Sequence, residues 1–588
     1  MPPKKKASIT DTGAPVVTRT TPYAAMIIWN YKTRIGSDST GKTSLNDVDS
    51  LYINSLSCVA LHTSKSKSDP QGTFSAVLAP TRNWVAAITP GSWACILMSD
   101  KPILPSDLIT LDFEKLKMFG KIDTVRLDTL MGEDGTRTTA YYVSGMDWGH
   151  VFHSTLYIDP DQVNNNEPSG LKGGLADALQ QLLFKKGVPQ LFNTKFNLTS
   201  ILQIFGKKLY GEVQTSSEAL VGYKIQSVYS VHIPSAVATY LKLHNGSGTT
   251  IAADVNSALT LITGILTPDS QYKESEPALG IVNLNDFLGT HSFWELLRGN
   301  ACDLLSEMYA EMNPTKGRTQ LVLYNRIKPF ALKGTAIAAK VPPILRSYFQ
   351  NIKTHAVSPS IVLSINAGTN WADKYNFIEI KSTWTDGTIQ DASDKKSLQS
   401  ADSVAWNREG FRAMIVPTKF FPGKVTSTKG KDGKELIKAE MVWADFAKWV
   451  SAMKSWYFDT HKMLNGTIQL IGTNQYYAVG NNIKIDADIL NPVHTWGAKD
   501  KSTPNHFLLA HIESVQNSFT ISPEGAKQYR TTISFVRGII TDNKGNVLQN
   551  DKAGALGPHN LNIRNAQWRN DSGGNVYSSS TSDDPDRK

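Results

Sequence analysis

Hydrophobic and polar residues of this chain alternate, from Ala24 onward, with the two-residue period of half-buried strands. "AMIIWNYKTRI" has strand character, "SLSCVALHT" places Leu56, Cys58 and Ala60 on one face, and "TFSAVLA" places Phe74, Ala76 and Leu78 on one face. Between the last two, "SDPQG" carries hairpin chemistry. A strand "SWACILMSD" follows the turn "TPG", and "GKIDTVRLDTL" and "RTTAYYVSGMDW" flank "GEDG", whose Asp134-Gly135 suits a tight turn. The period then changes. "GLADALQQLLFKKG" puts Leu175, Leu179, Leu182 and Leu183 at helical spacing with Gly187 as a stop, and "LTSILQIFGKKL" reads as a second short helix. In "HSFWELLRGNACDLLSEMYAEMNP", Trp294, Leu297, Ala301, Leu304 and Met308 recur at three- and four-residue steps, which predicts a long helix ended by Pro314, followed by an apolar strand "RTQLVLYNRIKPF". A further helix is predicted over 441–460 from Trp443, Phe446, Val450, Met453 and Tyr457. Strand patterning returns in "NGTIQLIG", "YYAVGNNIKIDA", "HFLLAHIESVQNSFTIS" and "YRTTISFVRGII".

Composition narrows the class. The 588 residues have room for roughly three to five domains, and 40% apolar residues can supply their cores. No run approaches the roughly 18 apolar residues of a membrane span, and "MPPKKKASITDTGAP" has lysines without an apolar stretch behind them; secretion and membrane anchoring by these routes are disfavoured. Cys58, Cys95 and Cys302 match no zinc ribbon or redox motif and read as reduced core thiols. The formal charge of +9 is spread along the chain, with Lys429, Lys431 and Lys434 at a hairpin tip "KDGK". This reads as a solvated basic face, not a nucleic-acid groove.

Candidate chemistry is sparse. "GSDSTGKTS" fills the phosphate-loop pattern G-x-x-x-x-G-K-S/T with Gly36, Gly41, Lys42 and Thr43. Such a loop works between a parallel strand and a helix start, whereas here "SLNDVDSLYINSL" leads into another strand, so a loop between strands is expected. His150 and His153 in "HVFH" are expected on a strand with rings on opposite faces, and His506 and His511 fare no better as metal ligands. Glu307 and Glu311 lie one turn apart on the predicted helix and read as solvated, capping or salt-bridged charges rather than an acid/base pair. Cys302 lacks a histidine partner for nucleophilic work. No catalytic, cofactor-binding or metal-binding residue is assigned, no cofactor is expected, and an enzyme is not expected.

The order of the segments carries a resemblance. "GTFSAVLAPTRNWVAAITPGSWACILMSD" resembles the first tube-like domain of bacteriophage baseplate central hub proteins, and the next strand pair ends in a similar S-G-x-D-x-G-x-x-F pattern, with Ser144, Gly145, Asp147, Gly149 and Phe152 in those places. "WELLRGNACDLLSEMYAEMNPTKGRTQLVLYNRIKPF" is similar to the family's helix and following strand, with Glu307, Leu321, Val322, Arg326, Pro329 and Phe330 matching. Gly410-Phe411-Arg412 is similar to its Gly-x-Arg turn, and the C-terminal strands, with Gly466, Gly472, Gly480 and Gly538 at turns, look like its second barrel.

The resemblance implies a mainly β chain with inserted helices (α+β), multi-domain, with two tail-tube-like antiparallel β-barrel domains plus smaller α+β domains. The expected division is a disordered arm at 1–20, a first tube-like β-barrel domain at 21–157 and an inserted α+β domain at 158–285. Residues 286–400 would give a helix plus strands to the second tube-like domain, 401–548 a C-terminal β region with the helix at 441–460, and 549–588 a flexible tail. It also implies a virion protein of a contractile-tailed phage, assembled in the host cytoplasm. That protein is a homotrimer whose ring adapts a six-fold tail tube to a trimeric spike and helps form the channel for genome ejection, with tape-measure and baseplate wedge proteins as further partners. The other readings are a virion enzyme, either a peptidoglycan hydrolase or a phosphate-loop NTPase, and a receptor-binding tail protein using Trp371, Trp384 and Trp496.

Overall fold

The computed structural model describes residues 21–31, 47–69, 71–131, 137–150, 352–370, 374–381, 399–417, 422–429, 435–441, 463–486 and 507–541, with shorter pieces at 153, 156–157, 184–185, 188–189, 223–226, 233–243, 250–254, 279–280, 291–292, 294–295, 306–315, 318–327, 372 and 457–458. Strand β1 (Tyr23–Tyr31) lies antiparallel between β2 (Val48–Ile53) and β5 (Trp93–Ser99). Strands β3 (Cys58–Ser66) and β4 (Thr73–Leu78) form the hairpin expected across "SDPQG". Strands β6 (Leu116–Met131) and β7 (Arg137–Asp147) form the next, with Met131 opposite Arg137. A second hairpin system comes from β8 (Ser306–Thr315) and β9 (Arg318–Ile327). The C-terminal part supplies β10 (Thr354–Val357), β11 (Val362–Gly368), β12 (Leu464–Ile471), β13 (Asn482–Asp486), β14 (Phe507–Ile521) and β15 (Lys527–Thr541).

Thirteen of these strands make one sheet, in the order β11-β12-β15-β14-β3-β4-β7-β6-β5-β1-β2, with β13 on β14 and β10 on β13. All pairings along it are antiparallel except the parallel pair β10–β13, which departs from the expected pattern. The long strand β14 joins the halves: its first residues pair with β13, Asn482 opposite His511, and its later ones with β3, Phe519 opposite Leu61. Two apolar clusters follow. One gathers Met26, Ile28, Phe74, Ile96 and Val143 with Phe519 and Tyr529 of the C-terminal hairpin; the other gathers Ile468, Ile483, Leu508, Ile533 and Phe535 with Tyr309 from β8. Mostly β architecture is therefore observed. Around it lie short helices at Trp84–Ala87, Pro105–Ile109, Ser235–Tyr240 and Ser403–Glu409.

Five expectations change. The C-terminal half of the predicted long helix is β8, an edge of a four-stranded sheet. Both of its faces are covered, with Glu307, Tyr309 and Glu311 on one and Met308, Ala310 and Met312 on the other, so two-fold alternation disappears and a helical spacing emerges by coincidence. Phe184–Lys185, at the end of another predicted helix, pairs with Val188–Pro189. Only Asn482–Asp486 of "YYAVGNNIKIDA" is strand, and Gly466 and Gly538 lie within β12 and β15 at an irregular pairing, not at turns. Finally, a bulge between Cys58 and Ala60 shifts the phase of β3. Past the bulge the buried parity passes to Leu61 instead of Ala60, while Leu56 lies in the turn before the strand, its N–H bonded to Asn54 Oδ1, and is 76% exposed. Leu61→Ala is expected to lose about 2–5 kcal/mol and Leu56→Ala about 0.5 kcal/mol or less in urea denaturation; equal losses would mean that the phase is wrong.

The strands on either side of the Gly36–Thr43 stretch, β1 and β2, are antiparallel neighbours, unlike the parallel strands of a phosphate-loop unit. That stretch lies outside the described residues, as do 174–183, 198–209, 442–456, both chain ends, Cys302, Trp371, Trp384, Trp496 and His506.

Candidate functional site

The inward parity of β3 runs Leu61, Thr63 and Lys65, and continues past the strand to Lys67, so an apolar series turns charged at the junction of the two halves. Lysines are buried at such positions only beside counter-charges. Four carboxylates provide them. Lys65 Nζ lies 2.5 Å from Asp147 Oδ2 at the end of β7 and 3.3 Å from Glu311 Oε1 on β8. Lys67 Nζ lies 2.7 Å from Glu307 Oε2 and 2.9 Å from Glu513 Oε2 on β14. Residues four apart on a strand share a face, and this is why Glu307 and Glu311 enter the junction together. They are salt-bridged, and their expected solvation is corrected: both are buried.

Neutral donors complete the network. Glu311 accepts from the Tyr476 hydroxyl at 2.5 Å and the Val479 N–H at 3.0 Å; Glu307 Oε1 lies 3.3 Å from His511 Nε2, whose other ring nitrogen lies 2.9 Å from Asn482 Oδ1. Arg537 occupies the left-handed region at φ 56° beside a shift in register of the β14–β15 pairing. Its guanidinium reaches to 3.9 Å from Glu307. Asn517 of β14 donates to Thr63 and accepts from Thr531. Burial holds Asp147 at about 6, above the ordinary aspartate value, against the pull of Lys65. For Lys65, burial disfavours the ammonium, but Asp147 and Glu311 outweigh it and the value is raised; for Lys67, burial wins over Glu307 and the value is lowered.

Two more polar side chains are buried, and the first of them ties the halves together. Lys117 Nζ donates to the carbonyls of Glu114, Thr473 and Gln475 at 2.8, 3.1 and 3.0 Å. Burial brings it down to about 7, yet three carbonyl acceptors require three N–H donors, which only the ammonium has. His355, with ring nitrogens 2.8 Å from Gln475 Nε2 and 3.1 Å from Asn481 Nδ2, is held down to about 4, first by burial and then by Lys353. A folded value below the unfolded one means stability present above the ordinary histidine range and lost as pH falls toward 4. The urea midpoint is expected to drop more steeply from pH 6.5 to 4 in the native chain than in His355→Gln; parallel curves would contradict this.

The remaining expectations separate. His150 is in a 3-10 turn, Trp148–His150, not a strand, with Nδ1 3.0 Å from the Asp147 carbonyl; His153 lies 3.4 Å from Asp69, so the two serve different neighbours. Cys58 and Cys95 are buried free thiols, Cys58 pushed up by burial to about 12. Gly410 ends the helix Ser403–Glu409 at φ 82°, and the following Phe411 packs 4.7 Å from the Trp406 ring; both are exposed. On the outer face of β3, β4, β7 and β14 a cleft of about 490 Å3 is lined by short polar side chains including Ser64, Ser75, Ser144 and Gln516. Among the described residues no group of three His, Cys, Asp or Glu is placed to hold a metal, and no helix is long and apolar enough to cross a membrane. The charged junction is thus closed from solvent, with Lys65 and Lys67 each set between two carboxylates.

The chain is similar in structure to the 43 kDa tail protein of prophage MuSo2 from Shewanella oneidensis, at 11% identity and TM-score 0.37, over 87% of this chain and 98% of that one. It is similar to the tail protein from Neisseria meningitidis MC58 at 9% identity and TM-score 0.35, over 87% and 96%. The half-lidded Francisella PdpA-VgrG complex matches at 10% identity and TM-score 0.34, over 90% of this chain and 60% of that one. No protein-family model and no curated protein matches the sequence. Its structural neighbours are tail proteins and a VgrG complex.

Proposed function

We propose that this chain is a structural component of a bacteriophage tail, the central hub of a contractile baseplate. Three copies form a ring that adapts the six-fold tail tube to a three-fold spike, and the ring helps form the channel through which the genome leaves. The observation that carries this reading is the pair of apolar cores within one chain, with the hairpin β14–β15 contributing to both and β14 pairing with β3 between them. Two units per chain and three chains give six, and a closed ring of them leaves no free strand edge to aggregate. The buried charges at the joint fit a part that carries load, and the reading requires no active site or cofactor. Its partners are other copies of itself, the tube ring and the spike, with tape-measure and wedge proteins beyond them, and its place is the virion baseplate after assembly in the host cytoplasm. Imaging of purified tails labelled on this chain tests the proposal: label on the tail axis at the tube–spike junction is expected, and label at the periphery overturns it.

A further inference from the structure

Strands β3 and β7 are not neighbours, because β4 lies between them. At the level where Lys65 and Asp147 turn inward, the intervening residue is Gly72, whose carbonyl accepts from the Asp147 N–H at 2.8 Å. A Cβ on Gly72 would meet Met118 Cε and Ser64 O at 2.8 Å and Asp147 Cβ at 3.4 Å. The gap stays open, and the lysine crosses it. Nζ comes to 2.5 Å from Asp147 Oδ2, so the amine and the carboxyl are in direct contact. Glu311 Oε1 lies 3.3 Å from the same Nζ. All three side chains are buried, and the Trp148 ring lies 5.9 Å from the amine.

We propose that Lys65 and Asp147 are a self-modification site, at which the lysine amine and the aspartic acid carboxyl condense into an isopeptide bond with Glu311 carrying the protons. The ammonium first passes a proton through Glu311 to Asp147, giving a neutral amine and a carboxylic acid. Burial opposes both charges, which lowers the cost of reaching this neutral pair from the ion pair. It also holds Asp147 at about 6, and once the acid is neutral, one of the two charges retaining the lysine proton is gone. Nζ then attacks Cγ. Glu311 takes a proton from the attacking nitrogen and returns it to the departing Asp147 oxygen, which leaves as water. One N–C bond forms, one C–O bond breaks, nothing is oxidised or reduced, and Glu311 is regenerated. The fold holds the two reacting groups in contact and away from solvent, which replaces the activation such a condensation otherwise needs. The bond would tie β3 to β7 across β4, beside the joint between the halves.

Mass spectrometry of the full native chain under denaturing conditions tests this without any variant. The expected mass is lower than that of the sequence by one water, and digestion is expected to release a branched peptide joining the Lys65 and Asp147 segments. Lys65→Arg and Glu311→Gln are expected at full mass. Asp147→Asn, which would expel ammonia instead of water, is expected to reach the mass of the linked native chain. A native chain at full mass, with Lys65 and Asp147 recovered only in linear peptides, overturns the proposal. Complete linkage in Glu311→Gln overturns the role given to the glutamate.

Discussion

Glu307→Ala is expected to lower the denaturation midpoint by an amount worth about 3–5 kcal/mol, because it breaks a buried ion pair from one side only. The substitution leaves Lys67 with Glu513 as its remaining carboxylate, removes the oxygen 3.3 Å from the His511 ring, and takes away the charge that faces Arg537. Lys67 is already lowered by burial against the pull of Glu307, so the loss falls on a charge with little solvent to replace it. Glu307→Gln retains an acceptor for Lys67 and is expected to lose less. The exposed pair Arg126–Asp128, at 3.5 Å, is the control: Asp128→Ala is expected to cost about 0–1 kcal/mol. Equal losses for Glu307→Ala and Asp128→Ala in the same urea titration would show that the junction charges do not hold the halves together.

Gly480→Ala is expected to cost about 2–5 kcal/mol, the sum of two separable terms. The residue sits at φ 81°, where a Cβ costs roughly 1–2 kcal/mol. It also lies against Tyr309, with an added Cβ only 2.3 Å from the hydroxyl oxygen, and overpacking of this kind costs typically 1–3 kcal/mol. Gly525 isolates the first term, since it has the same φ of 81° and nothing within 4 Å of an added Cβ. Gly525→Ala is therefore expected to show the backbone strain alone. Tyr309 belongs to β8 and packs into the second core, so a Gly480→Ala loss no larger than that of Gly525→Ala would mean that β8 is not seated there.

Strands with one wet face were legible in the sequence. Phe74, Ala76 and Leu78 are buried on one side of β4 as their spacing requires, and the hairpins around "SDPQG" and "GEDG" follow from turn chemistry. Where a strand is covered on both faces the period vanishes, and β8 read as helix for that reason. A bulge is equally silent, and the phase of β3 was lost at Cys58. The charged joint had only a partial signal: Lys65 and Lys67 keep the parity of Leu61 and Thr63, and Asp147 sits in "SGMDWG", but nothing local links them to Glu307, Glu311, Tyr476 or His511. Those meet only when β8 and β14 are brought to β3 by tertiary packing, which no spacing rule encodes.

The copy number of the assembled chain tests the central claim most directly. Light scattering of the purified protein, alone and with the spike, is expected to give a particle of three copies, on the spike if not before it. A single copy at every concentration with the spike present would contradict the ring.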